Sequence, residues 1–482
     1  MTLARLFFVA LAAGLILPAS AAGLIDREFG VNGRSVAAFN LGGTNDDVAA
    51  AMDIAGNGKI VLAGTARVDA DHRCFGVMRF LPDGTLDDSF SGNGKFSRPA
   101  LCASATIVIN AMQVDDNNRI VFAGSYQADT AHRQFMVGRI KADGSGLDAT
   151  FGGTPIAGLA TQDFNGSNNS VAKGLVLQND GKIVAVGSAQ GEFIGTLTSF
   201  AMARFTAAGA PDTGFSGNGR LLYGWGSAST DNVYHEANAA IIQGDGKIVV
   251  AGYSTVSATN TDFAVLRLNA NGTFDTSYGP NGSGARLVDF GGSCSFDGAY
   301  ALADRRDLLD PAGNGVVLAG THCVSGDNYD FAVAVLDVDG KLDTNFNGTG
   351  KSTINIDLGS ANYDVATSVQ LEAVGSLPFI PNMITLAGAA LNTNAGNPGF
   401  DFAMTRLSMT GSIDSTFGTN GRYSFGFNLG GSNDDVANAL VIRGREAFLA
   451  GSTQRATAND TDFVVTRVFV NDTIFGSEFE QH

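Results

Sequence analysis

Carboxylates are the residues of this chain best placed to do chemistry. Of 47 acidic residues only seven are Glu and 40 are Asp. The Asp residues recur in two sets. Asp46, Asp47, Asp231, Asp297, Asp364, Asp434 and Asp435 precede one strand-like segment of an internal repeat, and Asp262, Asp330, Asp401 and Asp462 precede another. Short Asp side chains bond nearby backbone and cap loops, which is their expected role here. Gathered together, the same oxygens would suit calcium, a hard cation with oxygen ligands. Calcium is the one cofactor the pattern allows, although neither an Asp-x-Asp-x-Asp-Gly loop nor a Gly-Gly-x-Gly-x-Asp repeat occurs.

A second set is cationic. Arg79, Arg139, Arg204, Arg267, Arg406 and Arg467 each follow a Phe by four residues, so in a strand the two share a face. A half-buried guanidinium needs a carboxylate. The expected partner is the Asp of an element of the form Asp-x-x-Phe-Gly, at Asp26, Asp87, Asp148, Asp212, Asp275, Asp343 and Asp414. A ring of ligand-reading arginines is the competing reading. One copy has Val335 in place of the arginine while keeping Asp343.

Other chemistry is thinly supported. Gly348 to Thr353 resembles a phosphate-binding loop, but equivalent positions read Gly92-Asn-Gly-Lys95 and Gly217-Asn-Gly-Arg220, and Asn345 stands where the first glycine belongs. Five histidines (His72, His132, His235, His322, His482) occupy scattered positions and read as loop residues. No His-Glu-x-x-His or Gly-x-Ser-x-Gly motif is present, so no catalytic residue is assigned. Trp225, the one Trp, reads as packing between repeat units rather than as a ligand platform. The four cysteines form two local pairs, Cys74 with Cys102 and Cys294 with Cys323, without the short spacing of a zinc site.

These residues sit on a repeat. An apolar segment ending in Ala-Gly or Val-Gly recurs seven times, its glycines at 64, 124, 187, 252, 320, 388 and 451. A Phe-led segment and the Asp-x-x-Phe-Gly element follow each copy, and Asp472 to Gly476 is a partial eighth copy of that element. Each unit reads as four strands, named a to d, with Asp-Gly and Gly-Lys turns between them. Seven such units predict an all-β, seven-bladed β-propeller of four-stranded blades; a β-solenoid or other closed β-repeat array is the alternative. Antiparallel order puts the a-b and c-d loops on one rim, where Cys294 and Cys323 can meet. Gly, at 63 residues, and the excess of Asp over Glu both fit strands and turns rather than helices.

These motifs resemble the delta-60 repeat family of bacterial exported proteins, whose unit carries Leu-Asp-x-x-Phe-Gly, Asp-Gly-Lys-Ile-Val-x-Ala-Gly and Asp-Phe-x-Val-x-Arg-Leu elements. The resemblance implies a propeller-like exported array and carries over no catalytic residue. Residues 1–21 read as a signal peptide, with Arg5, an apolar run from Leu6 to Leu17 and a small-x-small site at Ala19 to Ala21. One propeller over 22–476 and a short tail, 477–482, follow. The expected location is periplasmic, extracellular or at the cell surface.

Net charge is −17 with no basic run, which excludes nucleic acid as a partner. No later segment has the length of a membrane span. The expectation is therefore a monomeric, non-catalytic binding or scaffold module with a protein or glycan ligand, its unusual residues spread evenly over the repeat. The alternative is a metal-dependent propeller hydrolase with a carboxylate cluster near the central channel.

Overall fold

A computed structural model describes residues 23–470 except 43–44, 130–131, 154, 165–168, 191–195, 226–232, 258–259, 293, 295, 306–314, 360–362, 374–381, 395–397, 428 and 456–459. The segment 1–21, Asp231, the Asp472 copy, the 477–482 tail and His482 lie outside the described residues. The fold is all-β and propeller-like, built from antiparallel sheets that are mostly four-stranded. Among the described residues no helix is long and apolar enough to cross a membrane.

Strands c and d are mostly apolar and buried because both faces are covered by neighbouring sheets. Ile60–Arg67 and Arg73–Phe80 are buried at nearly every position. Strand b has one face toward the centre of the ring, so Val48–Ile54 alternates between buried and half-buried positions. Core clusters lie between sheets. Phe75 stacks on Phe122 of the next unit at 6.0 Å, and Phe29 meets Phe448 of the last unit at 6.0 Å.

Each sheet takes b, c and d from one unit and its fourth strand from the start of the next. The first such sheet is Val48–Ile54, Ile60–Arg67, Arg73–Phe80 and Lys95–Ser97. This differs from a unit that keeps its own strand a. The Asp-x-x-Phe element folds the chain straight back onto strand d, with Asp87 N donating to Arg79 O and Arg79 N to Gly94 O. The consequence appears at the ends of the chain: Leu24–Ile25 and Arg34–Ala37 both pair with Thr461–Phe469. An eight-stranded sheet consists of two four-stranded runs joined by a short parallel contact between Thr196 and Val233.

Every strand b carries a bulge. Its pairing with strand c skips one residue between Ala49 and Ala51, Ile109 and Ala111, Ala172 and Gly174, Ala237 and Ala239, Ala299 and Ala301, Ala366 and Ser368, and Ala437 and Ala439. The bulge explains the repeated glycine of strand c. A Cβ on Gly64 would strike the Val48 carbonyl oxygen, and one on Gly451 the Val436 carbonyl oxygen. Several skipped side chains bridge to the next sheet. Asn110 Nδ2 donates to Ala172 O (2.7 Å), Asn238 Nδ2 to Ala299 O (2.8 Å), Thr367 Oγ1 to Ala437 O (2.6 Å) and Asn438 Nδ2 to Ala49 O (2.8 Å). The last of these ties the end of the array to its beginning.

Candidate functional site

The strand-d arginines are structural. Their Nε atoms donate to the Asp of the following element at 2.6 Å (Arg79–Asp87), 2.8 Å (Arg139–Asp148), 2.7 Å (Arg204–Asp212, Arg267–Asp275, Arg406–Asp414) and 2.8 Å (Arg467–Asp26). Each guanidinium also lies over the aromatic ring of that element, as Arg267 does over Tyr278 at 4.3 Å. A third contact reaches a turn carbonyl of the next unit, for example Arg139 to Ala207 O at 2.7 Å. Burial alone would raise the Asp87 carboxyl, but hydrogen bonds from Lys59, Ser89 and Arg79 hold it well below the usual carboxylate range. Where Val335 replaces the arginine, Arg305 from the end of strand b supplies the guanidinium to Asp343.

The phosphate-loop resemblance has no site behind it. Lys351 opens a strand, Lys351–Ile354, donates to Asp289 O at 2.7 Å and lies 5.6 Å over the Phe290 ring. Lys95 bonds Ala38 O in the same way. His72 and His132 sit in exposed loops against Asp69 and Asp129, as expected. His235 and His322 do not: they are buried strand residues, bonded to Ser254 (2.8 Å) and Asp297 (2.6 Å). Burial lowers His235 to a pKa of about 4. Trp225 packs edge-on to Phe200 at 4.8 Å and Tyr223 at 4.7 Å. Both cysteine pairs are joined, Cys74 to Cys102 and Cys294 to Cys323.

The two Asp sets meet at the rim. The residue before the Phe of strand d faces the residue opening strand b of the next unit, and short parallel bridges such as Asp46 with Thr461 and Tyr329 with Tyr363 hold the sheets together there. One residue on from these bridges, Gln134 comes beside Ser170, Asp262 beside Asp297, Asp330 beside Asp364 and Asp462 beside Asp47. The contacts of Arg73 N with Thr106 Oγ1, Thr198 with Tyr234 and Phe400 N with Asp434 Oδ1 bring Cys74 beside Ile107, Ser199 beside His235 and Asp401 beside Asp435 in the same way. Four consecutive seams therefore pair two carboxylates.

In each of these seams one oxygen of the strand-b Asp caps the a-b loop. Asp47 Oδ2 accepts from Phe39 N at 2.6 Å, Asp364 Oδ2 from Ile356 N at 2.7 Å and Asp435 Oδ2 from Phe427 N at 2.6 Å. The capping expectation holds, and in Asp47 and Asp364 it leaves the second oxygen buried without a hydrogen bond. Burial, followed by the Asp462 and Asp46 charges, pushes Asp47 up to about 6 against the pull of the Phe39 amide. Burial with Asp289 and Asp297 pushes Asp262 to about 6. Burial with Asp330 and Asp357 pushes Asp364 to about 7.

At the same rim the array opens on a central cavity of about 530 Å³. Strand-b residues line it, Lys173, Asn238 and Tyr300 among them, and beside that lining the repetition breaks. The residue paired one place before the strand-c glycine's partner is Val48, Val108, Val171, Gly298, Val365 or Val436 in six units and Glu236 in the other. Opposite it on strand c stands Tyr253, where the other units carry Thr, Ser or Ala. The neighbouring bulge positions carry Lys173 and Tyr300.

These four residues converge. Lys173 Nζ lies 3.7 Å from Glu236 Oε1, and Ser188 Oγ is 3.5 Å from Oε2. Burial first, then the Glu236 charge, Tyr300 and a hydrogen bond to Glu236, push the Tyr253 phenol up. Burial with Tyr363, Glu236 and Tyr329 raises Tyr300. Both phenols are thus held toward their neutral, hydrogen-bonding form. Beside them an aromatic row reaches the surface: Tyr329 lies 4.6 Å from Tyr363, which is 38% exposed and 5.9 Å from Phe400. Seven Glu in 482 residues was the one available signal for this cluster, since the repeat read as evenly decorated until strand b was aligned by its bulge.

Three segments, 55–90, 178–215 and 243–278, match a family model described as "Domain of unknown function (DUF5122) beta-propeller". This supports a β-propeller repeat family. Among curated proteins none matches the chain. Solved structures of similar shape include the polysaccharide lyase Uly1, at 9% identity and TM-score 0.42, covering 88% of this chain and 90% of that one. The α-L-arabinofuranosidase Arb93A of Fusarium graminearum matches at 9% identity and TM-score 0.42, covering 79% and 98%. An α-L-arabinanase of Cellvibrio cellulosa matches at 9% identity and TM-score 0.29, covering 74% and 90%. These neighbours are named as glycan-acting enzymes. The expectation of a non-catalytic scaffold is corrected, because its premise of evenly spread polar residues fails at Lys173, Glu236, Tyr253 and Tyr300.

Proposed function

We propose that this chain is an exported, monomeric, seven-bladed propeller of the delta-60 type that acts on glycans at the rim-side mouth of its channel. The blade count takes the two halves of the eight-stranded sheet as separate blades. One observation carries the functional reading: a strand-b position held by Val or Gly in six units is filled in the seventh by Glu236, and Lys173, Tyr253 and Tyr300 gather around it, Lys173 and Tyr300 lining the cavity. In a repeat, shared residues serve the fold, so a clustered departure from the pattern is a candidate site.

The chemistry of the cluster supports a polyhydroxylated ligand. Phenols, an ammonium and a carboxylate offer convergent donors and acceptors in a concave site, and Tyr363, Tyr329 and Phe400 offer flat apolar faces beside it. Glu236 is the proton-transferring group, Lys173 its electrostatic partner, and the two neutral phenols orient hydroxyls. The two disulfides support an oxidising compartment, where extracellular polysaccharide is encountered.

The test is cleavage of a panel of neutral and uronic-acid polysaccharides, read as new reducing ends and as unsaturated products. The wild-type protein should cleave at least one of them. Glu236→Gln should lower that rate by about 100-fold or more with an unchanged melting temperature. A wild-type protein inert toward the whole panel, or an equally active variant, would overturn the reading.

A further inference from the structure

The four carboxylate seams of the rim differ in what answers their charge. Between the last and first units, Asp462 is paired with Arg455. Between the fourth and fifth, His322 Nδ1 sits 2.6 Å from Asp297, and Lys351 lowers Asp262 through its charge. Between the sixth and seventh, Asn392 Nδ2 donates to Asp401 at 2.7 Å. The seam between the fifth and sixth units has a third carboxylate, Asp357, as the seam before it has Asp289, but among the described residues its own answering groups are only the Asn355 amide, which donates to Asp357, and the charge of His322 on Asp330. Carboxylate oxygens of Asp330, Asp357 and Asp364 all lie within 4.8 Å of one another.

Two of these oxygens are buried without a partner. Asp364 is 0% exposed and Asp330 9% exposed, and neither Oδ1 atom has a hydrogen-bond partner. Asp364 Oδ2 is already committed to the amides of Ile356 (2.7 Å) and Asp357 (3.4 Å), so the backbone holds that carboxylate in place and presents its other oxygen to Asp330. The basic group nearest in effect is His322, which is itself bonded to Asp297. A buried charge without a partner is costly, and three together compound the cost. A cation removes it.

We propose that Asp330, Asp357 and Asp364 form a calcium site between the fifth and sixth units. The donor set is all oxygen and all carboxylate, which selects a hard cation over zinc or copper. Asp330 and Asp364 come from two different sheets and Asp357 from the exposed a-b loop, so the ion crosslinks two sheets and keeps an open side for water. Magnesium, which demands near-octahedral geometry at short distances, suits a site whose two inner ligands are fixed by separate strands less well. Tyr329 and Tyr363, the chain neighbours of Asp330 and Asp364, meet at the same seam with ring centroids 4.6 Å apart. The ion therefore also sets the position of the aromatic row.

The full chain, stripped with chelator, should be titrated with calcium, magnesium and zinc chlorides by calorimetry, with melting temperature followed in parallel. Calcium should bind at one saturable site and raise the melting temperature by a few degrees, with magnesium at least tenfold weaker. Asp364→Asn should abolish both responses, whereas Asp297→Asn at the neighbouring seam should keep them. Asp357 is exposed and sits at a φ of 46°, which Asn tolerates. Asp357→Asn should therefore fold normally and weaken calcium at least tenfold, and it serves if the Asp364 variant is unstable. No heat and no shift in the wild-type protein, zinc binding more tightly than calcium, or unaltered calcium binding in both variants would overturn the proposal.

Discussion

The array has two kinds of contact between neighbouring sheets, and they are opposites electrostatically. At the Asp-x-x-Phe turns every described carboxylate meets a guanidinium, and in all units but the one with Val335 it comes from strand d and lies over the aromatic ring of the turn. At the rim, carboxylate faces carboxylate in four seams, and the remaining seams substitute a disulfide-bonded cysteine beside Ile107, a Gln with a Ser, and a Ser with a His. The first contact is repeated because the fold depends on it. The second varies on both sides, Asp on strand b giving way to Ile107, Ser170 and His235, so the fold does not depend on any one pairing there.

The largest effect should come from breaking the repeated contact. Arg406 is 3% exposed, bonds Asp414 at 2.7 Å and the Val470 carbonyl, and lies 3.9 Å from Glu372. Arg406→Ala leaves two carboxylates facing each other in the interior. It should cost about 3–5 kcal/mol in denaturant unfolding. A cost under about 1 kcal/mol would place these pairs with ordinary surface ion pairs.

The rim should respond to pH in the opposite sense from the turns. Asp47, Asp262 and Asp364 have folded pKa values raised to about 6, 6 and 7. Their stabilising contribution is fully present below the unfolded value near 3.8 and is lost as pH rises through 6 to 7. His235 opposes this, being held neutral with a folded pKa of about 4. It is one group against three, and Asp330, Asp401 and Asp462 are also raised. Chelator-treated protein should therefore melt at a higher temperature at pH 5 than at pH 8, and Asp364→Asn should flatten the difference. The turn carboxylates Asp87, Asp148, Asp275 and Asp414 are lowered, so their contribution is lost only in more acid solution, as pH falls below about 4.

Much of this architecture is legible in the sequence. The strand repeat, the Arg–Asp pairing and the partners of both disulfides follow from residue types and spacing. What is not legible depends on register. That strand a completes the preceding sheet could not be read from a unit considered alone, because either assignment gives four strands per unit. The replacement of the missing arginine at Val335 by Arg305 needs the fold to bring the end of strand b against the turn. Glu236 was hidden for a similar reason: without the bulge, strand b cannot be aligned to one residue, and the odd member of the set is not seen as odd.

The central claim is that function sits where the repetition breaks. Glu236→Val restores at that position the residue most other units carry, so the fold has every reason to accept it. The decisive measurement is the glycan-cleaving rate of this variant beside its melting temperature. The expected result is an equal or higher melting temperature, since a half-buried charge is removed, together with loss of cleavage. Cleavage retained at the wild-type rate in a fully folded variant would contradict it.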